Sequence, residues 1–246
     1  MKHRSIMYVG AVALTAAAFA TDVLTDEKTL GWMRVDSTNA VTVVGVPWAA
    51  VTNTAVDVSV ADLVKTDNLT AGDSLYVYND GAWSRFVLNA GRTAWEGSST
   101  TMSIGGKSTT IPPASDSETI ARGKALYLER QNPTEGGAAK PFYLYGAVGA
   151  SAVASSVFSG ANKYLVASPK ASAFVVNHTN ITGASNKDTI QVPLAGGGSR
   201  IYQYFSKQNK WRCNGKWEDA EGYEQIPLGT GFWYLASSTS AITFNW

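Results

Sequence analysis

The sequence predicts an all-β protein made of two tandem β-sandwich lobes, jelly-roll-like, that arise from an internal duplication. Three observations carry this. Apolar and polar positions alternate with period two in "LYVY" at 75–78 and "IYQYF" at 201–205, the spacing of strands that send successive side chains to opposite faces. No stretch keeps a helical period over three turns, and the nearest, "VSVADLVKT" at 58–66, has room for one or two turns. Similar segments also recur in the same order in the two halves of the 246-residue chain. Composition agrees: charged residues are only 16%, while Gly, Ser, Thr and aromatic residues are plentiful, which suits sheets and turns better than helices.

Residues 1–20 read as a signal peptide. A basic start, "MKHRS", precedes the apolar run "IMYVGAVALTAAAFA", which is short for a membrane span and ends in the small-x-small pattern of a cleavage site. Polar "TDVLTDEKT" follows without a stop-transfer segment. The mature chain is expected to begin at Thr21, to keep no membrane span, and to be secreted or displayed at the cell surface; an uncleaved N-terminal anchor is the alternative. Residues 21–35, "TDVLTDEKTLGWMRV", precede the first repeated element. Leu30, Trp32, Met33 and Val35 give this segment the apolar content of an added strand, within its own chain or on a neighbouring one.

The first lobe, 21–146, carries "VVGVPWAAV" at 43–51, "LYVYNDGAW" at 75–83, Trp95-Glu96, "IARGKALYLER" at 120–130 and "PFYLYG" at 141–146. The second, 147–246, carries "LVASPKASAF" at 165–174, "IYQYFSKQNKW" at 201–211, Trp217-Glu218, "IPLGTGFWYLA" at 226–236 and "AITFNW" at 241–246. Set in order, they align Pro47 with Pro169, Trp83 with Trp211, Trp95 with Trp217 and Gly123 with Gly229. Gly81 in "NDG" marks a tight hairpin turn. Residues 97–119, rich in Ser, Thr and Gly with the pair Pro112-Pro113, read as an inserted loop or β-arm of the first lobe. The Gly/Ala/Ser-rich stretch 146–162 marks the boundary, as a linker or a short joining strand. Trp83, Trp95, Trp211, Trp217 and Trp233 are expected to anchor the cores, since a large aromatic buries roughly 150–250 Å².

The motifs "IYQYFSKQNKW", "IPLGTGFWYL" and "AITFNW" resemble the repeat of a family of uncharacterised secreted β-rich proteins from planctomycete and verrucomicrobial bacteria. The first copy is more divergent, with Ala125 in place of the second Gly of the apolar-x-x-Gly-x-Gly-aromatic strand. The resemblance implies a secreted or surface-displayed β-protein and brings no catalytic residues.

Charge excludes one class of partner. Removing Lys2 and Arg4 from the 20 basic residues leaves 18 against 19 acidic ones, with no basic stripe for phosphates, so nucleic acid is not an expected partner. The single cysteine, Cys213, cannot form an internal disulfide and reads as a small buried hydrophobe. Beyond the leader the only histidine is His178, in the polar run "VVNHTNIT". "AGGGSR" at 195–200 lacks the Lys and helix of a phosphate loop, so no cofactor is expected. The densest acidic and aromatic group is "WEDAEGYE": Trp217, Glu218, Asp219, Glu221, Tyr223 and Glu224 form either a solvated loop or a ligand or calcium patch. No catalytic constellation is found. Two functions follow. One is a non-enzymatic structural or assembly subunit of a surface layer, sheath or filament, self-associating through strand edges. The other is an extracellular polysaccharide-binding module that uses exposed aromatics. Where the rings point separates them.

Overall fold

A computed structural model of the chain describes residues 30–47, 57–79, 82–104, 107–147, 155–170, 172–194 and 197–246. The expected signal peptide, residues 21–29 of the expected arm and Gly81 of the "NDG" turn lie outside the described residues. What is described is nearly all β. In the first half the elements are β1 (Leu30–Val35), β2 (Val41–Gly45), β3 (Val58–Ser59), the single-turn helix α1 (Val60–Leu63), β4 (Ser74–Asn79), β5 (Ala82–Leu88), β6 (Trp95–Gly97), β7 (Thr100–Ile104), β8 (Lys107–Ile111), β9 (Thr119–Ile120), β10 (Ala125–Glu129), β11 (Thr134–Glu135), β12 (Ala138–Ala139) and β13 (Phe142–Ala147).

Strands β2-β10-β4-β5-β6 form an antiparallel sheet, sheet I. Alternation gives it two unlike faces. Leu75, Val77, Phe86, Leu88, Leu126 and Leu128 point inward and are buried. They pack on a thinner second layer: Met33, Phe142 and Leu144 from the pair β1-β13, Val58 and Ile120 from β3-β9, and Val60 and Leu63 of α1. Trp95 reaches across this core and donates its indole N–H to the carbonyl of Val64 at 2.9 Å.

The second half contains β14 (Ser155–Phe158), β15 (Lys163–Ala167), β16 (Ile181–Thr182), β17 (Thr189–Pro193), β18 (Ser199–Phe205), β19 (Lys210–Cys213), β20 (Lys216–Trp217), β21 (Gly231–Leu235) and β22 (Ile242–Asn245). Strands β15-β21-β17-β18-β19-β20 form sheet II, and β14-β22-β16 form the opposing layer. Tyr202, Trp211, Phe232, Tyr234 and Phe244 fill this core, with the free Cys213 buried among them.

The two sheets share strand order and register from the first strand to the fifth. Ala125↔Gly45 in sheet I answers Gly231↔Ala167 in sheet II; Tyr127↔Tyr76 answers Trp233↔Gln191; Leu75↔Phe86 answers Ile190↔Tyr202; Leu88↔Trp95 answers Tyr204↔Trp211. Gly123 and Gly229 stand in equivalent places, two residues before β10 and β21. The tryptophan alignment read from the sequence is corrected: Trp211 takes the place of Trp95, not of Trp83, and Trp217 has no counterpart in the first five strands. The motif "aromatic-x-aromatic, turn, Trp" occurs at different hairpins, β4-β5 in one half and β18-β19 in the other. For Leu30–Val35, the described part of the expected arm, the reading of a segment without a counterpart is corrected: β1 pairs with β13 as β14 pairs with β22.

A buried aspartate recurs at the head of the second pairing. Asp73 accepts the backbone N–H groups of Thr70 (2.9 Å) and Gln131 (2.7 Å). Asp188 accepts those of Ser185 (2.8 Å) and Ser237 (2.6 Å). Each carboxylate ties the turn before β4 or β17 to the segment that leaves β10 or β21, satisfying donors that burial would otherwise leave unpaired.

The halves meet through the outer faces and edges of their sheets. Val44 bridges to Thr230 and Val166 to Lys124. The amide of Gly45 donates to the carbonyl of Gly229, and that of Ala167 to the carbonyl of Gly123, both at 2.8 Å. These contacts exchange equivalent residues, as a two-fold arrangement requires. The backbones approach closely: a Cβ on Gly45 would lie 2.6 Å from the Cβ of Ala167, and one on Gly231 would lie 2.5 Å from that of Ala125. Each contact therefore joins a glycine to an alanine of the other half, and there is room for one methyl group, not two.

Candidate functional site

Where the outer faces diverge from this contact they leave an open cleft of about 590 Å³, within the size range of small-molecule sites. Its walls follow from the alternation that builds the cores. In β4, Leu75 and Val77 face inward, so Tyr76 and Tyr78 face outward. In β10, Leu126 and Leu128 face inward, leaving Tyr127 and Glu129 to the cleft, and in β21, Phe232 and Tyr234 face inward, leaving Trp233 and Leu235. Val41, Trp83, Ile111, Asn162, Lys163 and Gln191 complete the lining.

Four rings form one cluster. Trp83 lies 4.9 Å from Tyr78 and 5.4 Å from Tyr127 between centroids, and Trp233 lies 6.0 Å from Tyr78, 6.1 Å from Tyr127 and 6.2 Å from Trp83. They are tilted or edge-on to one another, which is favourable for aromatic quadrupoles. All four are half-buried, and all four line the cleft. The expectation that five tryptophans anchor the cores is corrected in part: Trp95 and Trp211 fill the two cores, Trp83 and Trp233 pack instead on a small third cluster between the halves, Val43, Ala125, Leu165 and Ala167, and Trp217 lies outside these clusters against Phe205.

The polar groups are oriented. Trp233 donates its indole N–H to Tyr127 Oη at 2.5 Å, which leaves the Tyr127 hydroxyl hydrogen free to point at a ligand. Tyr76 donates its hydroxyl to Glu129 Oε2 at 2.8 Å, leaving the other carboxylate oxygen as an acceptor. Burial raises the Tyr127 phenol, with the Trp233 bond opposing; burial also raises Tyr76, reinforced by Glu129. Both phenols are therefore neutral donors at ordinary pH. Glu129 is the one carboxylate among the described lining residues, where glycoside hydrolysis uses two. The cleft can stack, donate and accept.

The inserted segment 97–119 shapes one wall. It forms the hairpin β7-β8, and the chain after it bridges to β5 just past the end of β6: Arg85 N–H donates to Pro112 O (3.2 Å), and Ala114 N–H donates to Arg85 O (2.9 Å). This brings Ile111 to the cleft.

The acidic patch is not brought together. Glu218 turns inward, with its side chain only 4% exposed, where it accepts the amides of Trp211 (2.8 Å) and His178 (3.1 Å) and contacts His178 Nδ1. Asp219 pairs with Lys210 at 2.6 Å, and Glu224 pairs with Arg200. Glu221 is exposed, Tyr223 packs on Tyr202, and Trp217 on Phe205. Among the described residues no group of three or more His, Cys, Asp or Glu side chains is placed to hold a metal ion. Of the proposed added strand, Leu30–Val35 pairs with β13 of its own half, Met33 is buried, Val35 packs on the core, and Trp32 is 44% exposed beside Tyr143.

The signal for the cleft lay in strands with one aliphatic and one aromatic face, "LYVY" and "ALYLE". What alternation cannot say is that the two aromatic faces meet. Comparison with protein-family models, curated proteins and solved structures finds no match to the chain.

Proposed function

We propose that the protein is a secreted, non-catalytic β-module that binds a polysaccharide chain in the cleft between its sheets. The observation that carries this reading is the half-exposed cluster Tyr78, Trp83, Tyr127 and Trp233, with the Tyr127 hydroxyl, Glu129 and Gln191 beside it. Sugars present apolar C–H faces and a rim of hydroxyls, and such a site offers ring faces together with oriented donors and acceptors. The shared register of the two sheets supports an origin by duplication, and the resemblance to secreted planctomycete and verrucomicrobial repeat proteins remains part of this proposal. The test is affinity electrophoresis and calorimetry with a panel of soluble polysaccharides on wild type, Trp233→Ala and Gln191→Ala. Retarded migration of the wild type that both variants reduce is expected. Binding to none of the panel, or binding that both variants retain in full, overturns the reading.

A second reading, self-association through strand edges, draws on β1. It pairs only with β13 among the described strands, and Trp32, Tyr143 and Tyr145 form an aromatic face beside its open edge. Light scattering across a concentration series tests it, with a monomer at every concentration counting against it.

A further inference from the structure

The outer face of sheet II continues past the cleft as an open, ordered row of side chains. The register places Lys163, Leu235, Thr189, Gln203, Arg212 and Trp217 directly opposite one another on consecutive strands β15, β21, β17, β18, β19 and β20. Directly paired residues share a sheet face, so these six form a line perpendicular to the strands. Lys163 and Leu235 line the cleft. At the other end, Gln203 and Arg212 line a shallow depression of about 250 Å³ with Ile201 and Phe205. The Arg212 guanidinium lies over the Trp217 ring at 5.5 Å, and Ile201 is 50% exposed. The equivalent strip of sheet I is bordered by the β7-β8 insertion; sheet II has no such insertion.

The charges on this line are of one sign. Lys163 and Arg212 make no ion pair among the described residues, and the row contains no carboxylate. Of the nearby acids, Glu218 is held by backbone amides and His178, Asp219 by Lys210 and Glu224 by Arg200, while Glu129 in the cleft is bonded through one oxygen to the Tyr76 hydroxyl and keeps the other for a sugar hydroxyl. Four strand spacings separate β15 from β19, about 19 Å at ~4.8 Å each, and one such spacing is close to the advance of one sugar ring along an extended chain.

We infer that the ligand is an acidic polysaccharide, with a carboxylate on its sugar rings, and that its extended chain leaves the cleft and crosses sheet II along this row. Lys163 and Arg212 each meet a carboxylate, Trp233 and Trp217 stack sugar faces at the two ends, and Thr189 and Gln203 bond ring hydroxyls between them. The inference rests on the polysaccharide reading of the cleft. Arg212 can fork two hydrogen bonds onto a carboxylate while remaining stacked on Trp217, which a lysine could not do.

The experiment is isothermal titration of the full mature chain with digalacturonate, hexagalacturonate, cellobiose and cellohexaose, on wild type, Trp233→Ala, Arg212→Gln and Trp217→Ala, with thermal unfolding as a check on folding. Hexagalacturonate is expected to bind about tenfold or more tighter than cellohexaose and than digalacturonate. Its binding should weaken with added salt. Arg212→Gln and Trp217→Ala should each cost about tenfold for the hexamer and leave the dimer unchanged. Cellohexaose binding as tightly as hexagalacturonate, or a hexamer affinity indifferent to Arg212→Gln, overturns the acidic-chain inference while a loss in Trp233→Ala keeps the cleft reading. Absence of binding by all four sugars overturns the inference and counts against the cleft reading as well.

Discussion

Trp233 donates its indole N–H to the phenol oxygen of Tyr127, and the two residues hold the same position in their respective sheets. Each is the outward neighbour on a central strand, β10 or β21, whose other side chains fill a separate core. The contact between them therefore joins the two halves and shapes the floor of the cleft. Tyr127→Phe removes the acceptor and leaves the indole N–H to find another partner. The expected loss is about 1 kcal/mol in urea unfolding, together with a shift of tryptophan fluorescence. An unchanged midpoint and spectrum would show that the bond does not hold the two rings.

The close approach of Gly45 to Ala167 gives a reciprocal test. Gly45→Ala places two methyl carbons 2.6 Å apart and is expected to cost about 1–3 kcal/mol through overpacking. Ala167→Gly in the same chain makes the room again, so the double variant should recover most of the loss. Additive effects of the two changes, measured as a double-mutant cycle, would contradict the contact.

Trp95 and Trp211 are equivalent in place but not in bonding. Trp95 donates to Val64 O at 2.9 Å, whereas the buried indole nitrogen of Trp211 has no hydrogen-bond partner. Trp95→Phe should thus destabilise by about 1 kcal/mol more than Trp211→Phe, because it leaves a buried carbonyl unmatched. Truncation of either to alanine should cost about 3–5 kcal/mol. Denaturant titration of the four variants checks both the order and the size.

Alkaline pH should unfold the second half through its buried phenols. Burial pushes Tyr202 up to about 12 and raises Tyr223 and Tyr234 as well, the last also through its bond to Asp188. An unfolded tyrosine releases its proton near pH ~10. Between these values the folded state holds protons that the unfolded state has lost, so stability falls as pH rises. It should be complete below pH ~10 and decline progressively toward pH ~12. Chemical unfolding across this range, followed together with tyrosinate absorbance, is the measurement. Titration of every phenol near pH ~10 in a protein that remains folded would contradict it.

The residues alone make it legible that the chain is β and, where a strand has one aliphatic face, which face that is, because side-chain direction alternates with a period of two regardless of what the strand packs against. Leu75 and Val77, and Leu126 and Leu128, are legible as core on that ground alone, whereas "GFWYL" is apolar on both faces and leaves Trp233 undecided against Phe232 and Tyr234. The sequence also marked residues 97–119 as an inserted loop or β-arm and left room for one or two helical turns within 58–66. It did not determine which hairpin of one half answers which of the other. "LYVYNDGAW" and "IYQYFSKQNKW" look alike because both are aromatic hairpins, yet register depends on long-range pairing, with Leu126 against Val77 and Gln203 against Arg212, and no local pattern encodes that. The buried aspartates Asp73 and Asp188 were equally silent, since a carboxylate in a turn reads as solvated until the backbone amides that surround it are in place. Long-range packing alone sets Trp83 and Trp233 ring against ring on the cluster between the halves. Two sheets with an aromatic outer face each can hide or display it, and the choice was made by Gly45 and Gly231, whose missing side chains let the sheets come close enough for those faces to meet.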